Sequence, residues 1–201
     1  MSHGHLTRVL DHPVVAHRTF LSDPGRTAVF LFGVEVVTGA LLALYYRPAP
    51  EAAFASVQLI SNSVRFGWLV RSVHLAAGHA IVLLAAYLVA RAYFRRAFLG
   101  PRGLGGWLLT VGFFLLMLAF FFTGEALPWD QDAYWRATVT AHLVADTPVV
   151  GPWVAGVLRG GSDMTGATLV RLYAAHALVM PWIAYWAIQR MRGLMRRGAI
   201  G

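Results

Sequence analysis

The 201-residue sequence has no cysteine and no lysine. Without cysteine, the chain can form no disulfide, no thiolate ligation of an iron–sulfur cluster and no thioether link to a prosthetic group. Charge of either sign is scarce, at 13% of residues, where soluble globular chains carry roughly a quarter. The nine acidic residues are outnumbered by 17 basic ones, all arginine, for a formal net charge of +8. Nucleic-acid binding would need a solvated basic face. The arginines gather instead at the ends of apolar segments, which excludes that class. Residues 1–25 also lack an apolar core of the kind a cleaved signal peptide carries, so none is expected. His3, His5, His12 and His17 in that stretch are read as surface residues rather than a metal site.

What the chain has in abundance is apolar sequence, with 58% hydrophobic and 13% aromatic residues and a mean hydropathy of +0.59. Four stretches approach or exceed the roughly 18–20 residues that cross a bilayer. They are segment A (27–46), which stops at Arg47-Pro48-Ala49-Pro50, segment B (67–93), segment C (104–123) and segment D (167–188). Backbone polar groups in lipid are satisfied only by helices or closed barrels. None of the four alternates as a barrel strand does, so the fold class is all-α, an integral membrane four-helix bundle. Arg91, Arg95, Arg96 and Arg102 lie between B and C, and Arg190, Arg192, Arg196 and Arg197 follow D. The positive-inside bias puts both termini and the B–C loop in the cytoplasm, which makes the chain multi-pass in the cell inner (cytoplasmic) membrane. The long C–D connection is expected to lay short interfacial helices on the outer face, one over 133–144 and one around Trp153. No repeat and no second domain is evident. The chain divides into a cytoplasmic segment (1–25), a membrane domain (26–198) and a tail (199–201).

Two histidines fall inside these spans. His74 lies about seven residues inside the outer end of B and His176 about nine inside that of D, depths of roughly 10 and 14 Å. Either alone is accounted for equally well by a hydrogen bond to a neighbouring helix. Two at matched depth on different helices suit the two faces of one b-type haem, iron held by both imidazoles within apolar walls. Ionisable residues within spans mark functional sites by default. Arg71, one turn outward from His74, is placed to meet a haem propionate. Gly39 in A and Gly124 in C leave room for a flat macrocycle. His79 lies about 140° round the helix from His74 and is not expected to be a ligand. His142 is read as interfacial, and Glu35 as a buried carboxylate whose hydrogen bonding is structural rather than proton-handling.

In order and spacing the chain resembles the amino-terminal, four-helix half of cytochrome b from quinol-oxidising bc-type complexes. The similar segments are TGALLALYY at 38–46, GWLVRSVH at 67–74, GEALPW at 124–129, YWRATV at 134–139, GGS at 160–162, ATLVR at 167–171 and His176. Together they cover nearly everything from Gly25 onward. The family carries a second histidine about fourteen residues, four helical turns, beyond each first one, for a second haem near the inner face. Here those places hold Leu88 in B and either Arg190 or Met191 in D, and the inner-haem glycine of C is Thr110. Arg91 survives as the counterpart of an inner propionate partner. The resemblance therefore implies one haem b with His74 and His176 as axial ligands, not two.

Arg136 stands where the family has glycine beside the quinol ring, which obstructs or reshapes that pocket, so quinone is only a candidate second partner. The expected role is a mono-haem electron carrier in a respiratory or photosynthetic membrane complex. It would exchange electrons on the outer side with a c-type cytochrome or an iron–sulfur protein, without independent catalysis. Two alternatives stay open: a bc-type core subunit completed by a separate carboxy-terminal chain, and a haem-free membrane anchor or assembly subunit.

Overall fold

A computed structural model of the chain describes residues 23–99, 103–161 and 163–196. The four amino-terminal histidines, Arg102, Ser162, Arg197 and the tail lie outside the described residues. Eight α-helices are present among those described, and no strand.

Helix α1 (Pro24–Ala43) starts where Asp23 accepts hydrogen bonds from the Gly25 and Arg26 amides, 3.0 and 3.2 Å, with Pro24 in the first turn. Both features satisfy or remove amide donors that a helix start leaves unpaired. A short helix α2 (Ala53–Asn62) follows. It was not anticipated, because ten residues interrupted by Gln58, Ser61 and Asn62 carry no spanning signal. The turn into α3 (Gly67–Phe94) brings the chain back onto itself. Phe66 takes a left-handed conformation (φ 61°), and any Cβ on Gly67 would collide with the Ile60 carbonyl oxygen. Glycine is required there by close backbone approach. At 28 residues, α3 is about 42 Å long, enough to cross a bilayer and project beyond it.

After a 3₁₀ turn at Ala97–Leu99 comes α4 (Gly103–Ala126). The C–D connection holds α5 (Gln131–Ala145), capped by the Asp130 carboxylate on the Ala133 amide at 2.7 Å, and α6 (Gly151–Arg159). The two helices expected there are thus observed. The last span is composite. Helix α7 (Gly166–Tyr173) opens with a Thr165/Thr168 capping box, passes through a π-helical turn (Ala174–Val179) and continues as α8 (Met180–Arg196). Proline 181 explains the turn. It has no amide proton to offer the preceding turn, and its ring would strike the carbonyl four residues back. The Met180 amide accordingly donates to Ala175, five residues back, and one residue is taken up in a wider loop of helix.

The four long apolar helices, α1, α3, α4 and the composite α7–α8, are each long enough to cross a membrane. They pack as a ring, α1 on α3, α3 on α4, α4 on α8 and α8 on α1. Most of their surface faces outward and is apolar, for example Leu83, Leu115 and Trp182. One core fills the arginine-rich half of the bundle: Ile81, Ala85 and Leu88 of α3, Phe113 and Met117 of α4, and Ala184, Ala187, Ile188 and Met191 of α8. A smaller one, Ala126, Ala137 and Leu172, lies under α5 and α6. Leu88→Ala should destabilise the bundle by about 2–3 kcal/mol by leaving a cavity. Thermal unfolding in detergent tests this, and an unchanged midpoint would show that Leu88 does not carry the core.

Candidate functional site

Between the two cores the bundle brings His74 and His176 together, ring centroids 6.3 Å apart and planes at 69°. Each imidazole is served by a different helix. On α1, Glu35, Thr38 and Gly39 share one face by their i, i+3, i+4 spacing and meet His74. On α4, Phe120, Thr123 and Gly124 share the same spacing and meet His176. The pair Thr38-Gly39 is thus repeated as Thr123-Gly124.

The hydroxyls fix the tautomers. Thr38 Oγ1 lies 2.6 Å from the Val34 carbonyl and Thr123 Oγ1 2.7 Å from that of Ala119, so each donates its proton to its own helix. Toward the histidines each is then an acceptor, at 2.9 Å from His74 Nδ1 and 3.0 Å from His176 Nδ1. Both histidines must carry their proton on Nδ1, which leaves the Nε2 lone pairs free. Such a second hydrogen bond is how proteins orient metal-binding imidazoles.

The glycines give clearance. A Cβ on Gly39 would sit 3.2 Å from His74 Cε1, and one on Gly124 only 2.9 Å from His176 Cε1. Phe120 packs edge-on against the His176 ring at 5.4 Å. Glu35 adds what His176 lacks: its Oε2 is 2.8 Å from His74 Nδ1, while its Oε1 is buried without a partner.

Metal–imidazole bonds of about 2 Å would place two rings sharing one ion with centroids roughly 6 Å apart, as these are. Among the described residues no cluster of three or more His, Cys, Asp or Glu side chains gathers. An iron held by this pair would have its remaining ligands supplied by a porphyrin. The donor set and the two glycine clearances fit a haem.

The other residues singled out in the sequence sit as follows. Arg71 is half-buried, its guanidinium 3.3 Å from Ser61 Oγ on α2. His79 is exposed, donates to the Leu75 carbonyl at 2.6 Å and packs on Phe121, away from the pair. His142 lines a cavity of about 90 Å³ with Tyr134, Thr138 and Asp163. Arg136 lies 3.6 Å from the Glu125 carboxylate. The two threonines and the Glu35 contact were not anticipated. The repeated Thr-Gly dipeptide was the available signal.

The model of the Cytochrome b/b6/petB family matches residues 9–195. The chain belongs to the cytochrome b family. It is 40% identical over 184 residues to cytochrome b6 of Heliomicrobium gestii, covering 90% of this chain and 85% of that one. It is 36% identical over 178 residues to cytochrome b6 of Synechococcus elongatus, covering 88% and 82%. In three dimensions it resembles a chain of a hyperthermophilic respiratory Complex III, with a TM-score of 0.75 and 25% identity over 97% of this chain. It spans about half, 53%, of the length of that chain.

As a cytochrome b-type membrane protein of electron transport, the chain is expected to bind haem b. The clearances make an ordered prediction. Gly124→Ala should weaken haem retention by about tenfold, the scale of second-sphere disturbances at metal ligands, and Gly39→Ala by less. Haem content of the purified variants tests this, and equal retention by both would show that the rings are not set by these contacts.

Proposed function

We propose that the chain is the membrane subunit of a bc-type electron-transfer complex and holds a single haem b between His74 and His176. Bound there, haem supplies a one-electron couple. The chain's part would be to offer two Nε2 lone pairs to the iron, which would leave no coordination position open for oxygen chemistry. Thr38 and Thr123 hold the rings by Nδ1, Gly39 and Gly124 keep the approach clear, and Arg71 provides a cation one turn outward for a propionate. The observation that carries this reading is the pair of threonine hydroxyls whose protons are already committed, so that both imidazoles present a free Nε2.

The packing of the other half supports one haem rather than two. Leu88 and Met191, four turns beyond the two histidines, are buried in the apolar core with Phe113, and Thr110 is buried and bonded to Gly106. The π-helical turn accounts for the choice in the last span. It takes up one residue, so Met191 faces the bundle while Arg190 is exposed over the Trp186 ring at 5.5 Å.

The arginine-rich end, with Arg91, Arg95, Arg96, Arg190 and Arg192, is assigned to the cytoplasm. The end bearing Glu51, Glu125, Asp130, Asp132 and Asp146 is assigned to the outer face. A carrier with its haem near that face exchanges electrons there, with a c-type cytochrome or an iron–sulfur protein as partner. Quinone remains a candidate second partner. A second reading is a bc-type core subunit completed by a separate carboxy-terminal chain.

Haem per chain and the reduced-minus-oxidised spectrum of purified protein test the proposal. One haem b is expected, lost in His74→Ala and in His176→Ala and kept in His79→Ala. Two haems would overturn the single site, and a colourless protein would favour an anchor or assembly role.

A further inference from the structure

We infer that Glu35 is a positioning residue that lowers the reduction potential of the haem through His74. The inference rests on the ligation proposed above. Glu35 lies well inside α1, level with His74, where an ionisable side chain is costly in lipid. Its Oε2 is 2.8 Å from His74 Nδ1, and Thr38 Oγ1, an acceptor, is 2.9 Å from the same nitrogen. The Nδ1 proton of His74 therefore faces a hydroxyl oxygen and a carboxylate, whereas the His176 ring meets two neutral oxygens, the Thr123 hydroxyl and the Phe120 backbone carbonyl. Gly78 of the neighbouring helix packs beside the acid, where a Cβ would make ordinary van der Waals contact with Oε1 at 3.6 Å.

A merely structural acceptor for one imidazole proton is already present in Thr38. The carboxylate adds negative charge at a nitrogen conjugated to the metal-binding one, and its second oxygen is buried without a partner. Drawing the Nδ1 proton toward an anion raises the basicity of Nε2. In a low-dielectric interior the same charge stabilises the more positive, oxidised state of whatever Nε2 binds. Both effects act in one direction, toward a lower potential, and they act on one of the two ligands.

The test compares the full-length protein with Glu35→Gln, which keeps an oxygen acceptor and removes the charge, and with Glu35→Asp, which keeps the charge. Haem content and the midpoint from a redox titration at fixed pH are read for each. Glu35→Gln should retain haem and shift the ratio of reduced to oxidised protein at a given potential about tenfold toward reduced, 59 mV for a one-electron couple. Glu35→Asp should return part of that shift. An unchanged or lower midpoint in haem-loaded Glu35→Gln would overturn the inference while leaving the ligation intact. Loss of haem from both variants would overturn it too, by making Glu35 a holder of the ring. A haem-free wild-type protein would defeat the ligation itself.

Discussion

A threonine hydroxyl has one proton, and a neutral imidazole has one as well. Inside this bundle those two facts fix the site. Thr38 and Thr123 give their protons to carbonyls of their own helices, so His74 and His176 must each direct an N–H at a threonine and turn the opposite nitrogen away. Threonine inside a soluble helix tends to be neutral or mildly unfavourable. In a membrane helix its bond to the preceding turn hides a polar group from lipid and still leaves an oxygen to receive a neighbour. The following glycine on each helix allows the ring to come close enough to use it.

The site also divides the bundle. On the arginine-rich side, Leu88, Phe113, Ile188 and Met191 interlock in one core. Lipid tails are as apolar as these side chains, so association there depends on close packing rather than on escape from water. A packed core in that half and a pair of imidazoles above it are what the proposal of a single haem rests on. Glu35 completes the asymmetry, since it contacts one imidazole and not the other.

Much of this was legible from residue order alone. The bilayer demands long apolar helices, so the four spans could be read from composition, with ends displaced by a few residues where Asp23 caps α1 and where α7–α8 runs on past residue 188. Two histidines at matched depth stood out because ionisable groups in spans are rare. Helix α2 was not legible, for it is short and polar enough to pass as loop. Nor was the π-helical turn, although Pro181 in the middle of a span was its visible cause. Without that turn, Arg190 and Met191 remained equivalent choices. The Glu35–His74 contact depends on how α1 is rotated against α3, which no periodicity in either helix specifies.

The proposed grip of two imidazoles on one iron is tested most directly by low-temperature electron paramagnetic resonance of the oxidised protein, with histidine labelled by nitrogen-15 to show which nitrogens couple to the metal. A single low-spin ferric species coupled to two histidine nitrogens, integrating to one spin per chain, is the expected result. A high-spin ferric signal, or coupling to a single histidine, would contradict it.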